Sequence, residues 1–366
     1  IATIFGRYFE AVLKGNTASL VDDGDSSDSQ ESSTSKTAAV LLIVVITLLN
    51  CAGIKESAVL SMFLTTTKVL LVLLVFVFAV VYISYNNDSA DVEQKNLSPS
   101  SSFNGSNDIL HFGSAMVACL WSFDGFADGN FLQEELVHPI RDLPRIIAAA
   151  LTLVTMCYLL INIGYLCVLD KDTIINSSAI AVQFGDTVSD KLFSKGKDVL
   201  ALILALGVSL STAGAANGSI MTGGRGFFAV ARDGKAPAVM ARLNSRGAPW
   251  AALLAQGSWS LVLLCLPGSN FSSLLDYFGP VSWMFYGISA SAVIKLRYSE
   301  PDTLRPFEVP FFPFPPLLVM TVATFILVSS LATNAMYTVF ALCFVALGMP
   351  VHICMEYWAE RAQQQP

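Results

Sequence analysis

Nine apolar runs constrain this chain more than any other feature. They lie at about 38–54, 57–83, 109–133, 146–168, 199–229, 248–266, 273–296, 312–331 and 335–357. Most approach the ~20 residues a helix needs to cross a bilayer. Charged residues make up only 13% of the 366 positions and hydrophobic ones 54%, whereas soluble domains carry about 25% charged residues. The chain therefore reads as an all-α polytopic membrane protein, one transmembrane domain over residues 1–366, with the lipid bilayer as its solvent. Its net charge of −7 comes mostly from loop acids. No basic surface suited to nucleic acid is visible, so no nucleic-acid partner is expected.

The connections are polar. Residues 1–14 are too short to span and read as the end of a helix. The chain begins at Ile1 without a signal peptide, so the expectation is a fragment whose N-terminal part is missing. Gly15 to Thr37 is acidic and Ser-rich and reads as a flexible loop. Gly53 opens a tight turn, His138 to Pro144 a short basic turn, and Asp170 to Asp198 a longer connection with room for a surface helix. Alternating the loops across the membrane puts twelve basic residues on one side, among them Lys55, Arg141, Arg232, Arg246 and Arg305, and seven on the other. The richer side is read as cytoplasmic, which places the C-terminus there; the plasma membrane is the expected site of residence. The Asn-x-Ser/Thr acceptors at Asn87, Asn96, Asn104, Asn176 and Asn270 all fall on the opposite side, as glycan acceptors would.

Within the third run, Leu120-Trp-Ser-Phe-Asp-Gly-Phe-Ala-Asp-Gly-Asn-Phe131 sets two acids, Asp124 and Asp128, and two glycines, Gly125 and Gly129, where hydrocarbon is expected. A carboxylate at membrane depth costs roughly 3 kcal/mol on insertion scales, and glycine weakens the helix there. A helix that breaks in mid-membrane must line a cavity, because its freed backbone groups need partners; such breaks form the substrate sites of many secondary transporters. On an intact helix the two acids, four apart, would stack on one face. They would then suit proton coupling or attract a cationic group, while unwinding near Ser122–Gly125 would remove the stacking. Trp121 at the break is a candidate lid. Packing is the competing reading for both the tryptophan and the break.

The run from Val199 is rich in Gly, Ser and Thr, which suits close helix approach. Asn217 within it is open to either substrate binding or interhelical bonding. Arg225 to Pro237 reads as a gating or structural ion-pair segment rather than a phosphate loop. Trp283 and Tyr286 could face the cavity, although packing is the safer reading. No Ser/His/Asp or Cys/His constellation occurs, and the seven cysteines lack metal-ligand spacing, so neither an enzyme nor a metal or other cofactor is expected.

Three motifs in chain order carry a resemblance. Leu120-Trp-Ser-Phe-Asp-Gly-Phe with Glu134-Glu135 and Pro139-x-Arg-Asp-Leu-Pro144 resembles the sixth helix and following turn of the L-type amino acid transporter light chains, members of the amino acid–polyamine–organocation superfamily. Asn217-Gly-Ser-x-Met-x-Gly-x-Arg225 with Ala231-Arg-Asp-Gly-x-Ala-Pro237 resembles their eighth helix. Ser282-Trp283, Lys295-Leu-Arg and Arg305-Pro-Phe-x-Val-Pro310 resemble the tenth helix and next loop. The resemblance implies the five-plus-five inverted-repeat fold, here incomplete, with the end of helix 3 and helices 4 to 12. It implies an amino acid permease or exchanger working by alternating access. Trp121 would be the aromatic gate, and backbone around Ser122, Phe123 and Asp124 would bind the substrate amine. Gly125, Asp128, Asn217 and Trp283 complete the expected substrate site.

Two departures from the family pattern bear on function. The loop Gly15–Thr37 lacks the cysteine through which such light chains join a single-span glycoprotein, so no disulfide-linked heavy chain is expected. Ala127-Asp128 stands where several relatives have Asn beside a neutral residue, which suggests tolerance of cationic amino acids or polyamines. A membrane amino acid sensor without net transport and a non-functional fragment are the alternatives; the short C-terminal tail favours transport over sensing.

Overall fold

A computed structural model describes residues 1–17, 20, 32–85, 96, 109–192, 199–266, 271–305, 307–350 and 352–353. Among the described residues the regular structure is helical throughout. The α-helices are α1 (Ala2–Lys14), α2 (Ser33–Ala52), α3 (Ile54–Tyr85), α4 (Ile109–Trp121), α5 (Asp128–Phe131), α6 (Pro139–Val168), α7 (Lys171–Asn176), α8 (Ile180–Leu192), α9 (Val199–Arg232), α10 (Trp250–Cys265), α11 (Phe271–Ser299), α12 (Phe314–Thr333) and α13 (Ala335–Ala346). Five of them, α2, α3, α6, α9 and α12, are long and apolar enough to cross a membrane; α10 and α13 are apolar but shorter. Large side chains such as Met62, Phe63, Leu70, Leu159 and Phe340 stand exposed on these helices. In water that surface would be an aggregation hazard, and in lipid it is the expected exterior.

The chain forms two compact units, residues 1–105 with 149–266 and residues 106–148 with 267–366. In the first, α9 is the axis, packed against α1, α2, α3, α8 and α10. Small residues let the neighbours come close: a Cβ at Gly224 would stand 2.9 Å from Leu253 Cγ, and one at Gly223 3.0 Å from the Gln256 amide. Packing is thus the use of these glycines. One core gathers Val75, Tyr82, Phe184, Val188 and Leu204; another gathers Ile43, Ile46, Ile220 and Leu253.

The second unit holds α4, α5, α11, α12 and α13. Here α12 packs along α11 and also against α4. Close approach again falls at glycines, with Gly113 against Ser329, Gly279 against Val117 and Gly287 against Ala323. At the end of α11, the Arg305 guanidinium donates to the carbonyls of Leu296, Glu300, Pro301 and Thr303 at 2.7–3.3 Å. It thereby ties the last turn of the helix to the segment that follows it, through one carbonyl inside the helix and three just beyond its end.

Three expectations change here. The turn expected at His138–Pro144 is the start of α6, because a proline at the first helical position forfeits no bond and fixes a helical φ. Asn96, read as a glycan acceptor, is buried, and its amide nitrogen donates to the Leu166 and Leu169 carbonyls at 2.8 Å each, so it closes the end of α6. Asn176 is exposed, while Asn87, Asn104, Asn270 and most of the acidic Gly15–Thr37 segment lie outside the described residues. The connection after Asp170 does hold helices, but α8 is less a surface helix than expected: Val182, Phe184 and Val188 are fully buried.

Candidate substrate site

The helix α4 stops at Trp121. The next three amide groups fold back in tight turns, Ser122 N–H to Cys119 O, Phe123 N–H to Leu120 O and Asp124 N–H to Trp121 O, at 3.0–3.1 Å. Gly125 then takes φ +109°, a backbone region that residues with a Cβ rarely enter. The chain re-enters helix only for the four residues of α5. The local cause is legible: a short polar side chain followed by glycine favours a turn over helix continuation. The carbonyl of Asp124 accepts no hydrogen bond among the described residues.

The break faces α11 within the same unit. A pocket there is lined by Trp121, Asp124 and Phe126 from the turn and by Ser282, Trp283 and Tyr286 from α11. Tyr286 donates its hydroxyl to Asp124 Oδ1 at 2.8 Å. The rings form a continuous wall: Phe126 to Tyr286 at 5.2 Å between centroids, Trp283 to Tyr286 at 5.5 Å and edge-on. Trp121 meets Phe271 edge-on at 5.1 Å. Aromatic surfaces with one anchored carboxylate can hold an amine or an apolar side chain and can attract a cation. No group of His, Cys, Asp or Glu among the described residues could hold a metal ion.

The expected residues divide. Trp121, Asp124 and Trp283 come together in the pocket. Ser122 turns its hydroxyl back toward the Ala118 carbonyl at 3.4 Å, and Phe123 sits half-buried beside the pocket rather than lining it. Gly125 supplies the break. Asp128 does not stack on Asp124, because the helix is interrupted between them; its carboxylate instead folds back over Gly125, 3.7 Å from where a Cβ there would stand.

Asn217 lies in the other unit, fully buried, donating to Ser61 Oγ at 2.7 Å and accepting from Asn50 Nδ2 at 2.8 Å. Of its two readings the structure displays the interhelical one. Asn50 and Ser57, joined at 2.6 Å, complete that knot; neither stands out in the sequence.

Tyr286, for which packing is the safer expectation, belongs to the pocket instead. Its spacing of three from Trp283 is the sequence signal, since it puts both on one helix face. Lys68 is a further residue that no motif singles out. It is an ammonium inside the apolar α3, close to Gly214 of α9. A lone lysine in such a run is the available signal, since intramembrane charges mark functional sites by default.

Residues 2–352 match the amino acid permease family. Among curated proteins the chain is 29% identical over 322 residues to the b(0,+)-type amino acid transporter 1 of Mus musculus, covering 86% of this chain and 62% of that protein. It is 31% identical over 318 residues to the large neutral amino acids transporter small subunit 2 of Homo sapiens, covering 86% of this chain and 56% of that protein. The chain thus spans about three-fifths of the length of these relatives.

Proposed function

The chain belongs to the amino acid permease family, and from that premise we propose that it carries amino acids across a membrane by alternating access, as a permease or exchanger. Substrate sits at the broken helix around residues 121–125. The observation that carries this reading is the interruption of α4 at Trp121, which sets an acid and two aromatic-bearing elements around one pocket. Trp121 serves as the lid over the substrate. The unbonded Asp124 carbonyl offers an acceptor for the substrate ammonium, and Trp283 contributes a wall. Asp128 reaches the substrate only across the turn, and Asn217 supports the first unit through its interhelical bonds. The relatives named above supply the class of cargo, amino acids, and Asp124 with Asp128 extends it to cationic members. The protein resides in the plasma membrane with its C-terminus in the cytoplasm and works without a disulfide-linked heavy chain.

Uptake of labelled leucine and arginine into cells expressing the protein tests this reading. The expected result is uptake of both, with Asp124→Asn and Asp128→Asn lowering arginine uptake more than leucine uptake. Uptake of leucine alone, unchanged by either substitution, defeats the cationic part; uptake of neither defeats the transport reading.

A further inference from the structure

We propose that Tyr286 sets the balance between neutral and cationic substrates by occupying one oxygen of Asp124. This rests on the substrate site proposed above and goes beyond it by naming a residue that decides selectivity. A carboxylate in a membrane pocket is expensive when it stands alone. The Tyr286 hydroxyl gives it a donor at 2.8 Å, and a hydrogen bond to an ionised acceptor is among the stronger ones available. The donor is neutral, so the charge is shared but not cancelled. Oδ2 remains to meet a substrate cation, while a neutral substrate does not leave the acid bare. Two neighbouring rings hold the tyrosine in place, Phe126 from the turn and Trp283 from its own helix. The hydroxyl is thereby aimed at the turn that carries Asp124.

Loss of the hydroxyl has opposite consequences for the two substrate classes. In Tyr286→Phe the ring contacts stay and the donor goes. A neutral ligand must then close the pocket over an unpartnered carboxylate, which costs affinity, whereas a cationic ligand becomes the carboxylate's sole partner and binds more tightly. The ratio of leucine to arginine dissociation constants rises by about tenfold, the size expected for one hydrogen bond to a charged group. A general packing defect would weaken both ligands together and leave the ratio unmoved.

The test uses the purified chain in lipid nanodiscs, titrated with L-leucine and with L-arginine and followed by tryptophan fluorescence, for which Trp121 and Trp283 are pocket reporters. Four forms are compared: the unaltered chain, Tyr286→Phe, Asp124→Asn and the double variant. Support is a ratio shifted toward arginine in Tyr286→Phe, with no further shift when the same change is made on Asp124→Asn, since the hydroxyl acts through the carboxylate. Binding of both ligands with a ratio unchanged in Tyr286→Phe, or shifted equally in the Asp124→Asn background, overturns the selectivity role and leaves the substrate site standing. Binding of neither ligand by the unaltered chain overturns the site itself and this proposal with it.

Discussion

At the scale of single residues, two asparagines show how polar side chains persist inside apolar helices. Asn50 donates to the Ile46 carbonyl and to Asn217, and its own oxygen accepts from Ser57. Asn217 in turn donates to Ser61, so α2, α3 and α9 are tied by one buried chain of bonds. Each member satisfies another, and the removal of one leaves partners that no water can reach. Asn217→Ala is expected to lower stability by about 1–2 kcal/mol, the range measured for interhelical hydrogen bonds together with the partners left behind. Asn50→Ala should cost a similar amount, and the double variant should be only slightly worse than either single one, because the same bond is lost in both. Thermal unfolding in detergent checks this. Strictly additive losses would show that the two amides act independently. The contrast with Asp124 is instructive: its partner Tyr286 is one hydroxyl on a half-buried ring, and that leaves capacity for a ligand.

At the scale of elements, legibility follows the kind of signal each element carries. Helices α2, α3 and α9 can be read within a few residues, because long apolar runs need nothing beyond their own length to declare themselves. The break in α4 is visible for the same reason inverted: acids and glycines in hydrocarbon cost too much to stand there for packing alone. What cannot be read depends on neighbours far along the chain. Burial of α8 is an instance, for its polar residues Asp186, Asp190 and Lys191 suggest a solvated helix, yet its other face is sealed against α9. Gly185 is a point of close approach, where a Cβ would stand 2.7 Å from Ala201 Cα and 2.8 Å from its nitrogen. Backbone atoms cannot swing aside as a side-chain tip can. Gly185→Ala should therefore push α8 off α9 at a cost of about 1–3 kcal/mol, as overpacking does. The measurement is hydrogen exchange, with faster exchange over residues 180–192 than in the unaltered chain; unchanged protection there would show that the two helices have room for a methyl group. The Asp124–Tyr286 pair is unreadable for the same reason as α8: 162 residues separate the partners, and sequence periodicity is silent about such pairings.

At the scale of the whole molecule, the question is which loops face the cytoplasm. The first unit carries both kinds of loop. The segment after α9, with Arg242 and Arg246, is stitched to the α2–α3 turn: Asn244 Nδ2 donates to the Cys51 carbonyl at 2.7 Å, and Arg246 reaches both the Ala52 carbonyl and Glu56 at 3.3 Å. Arg242 and Arg246 thus gather near Lys55 at one end of the unit, the kind of basic concentration that the positive-inside rule expects on the cytoplasmic side. The connection holding α7 and α8 is acidic in part, with Asp172, Asp186 and Asp190, and its basic residues are lysines only. The short α7 also leaves Asp172 and Asn176 exposed. These two regions should therefore label from opposite sides. With Lys235→Cys and Asp172→Cys as reporters, both exposed in the native chain, a membrane-impermeant maleimide applied to intact cells should modify Asp172→Cys. It should modify Lys235→Cys only after permeabilisation. The native cysteines set the background, and Cys119, Cys265 and Cys343, which are exposed on helices, are first replaced by serine. Labelling of Lys235→Cys in intact cells would invert the orientation and put the Arg246–Glu56 clasp outside the cell.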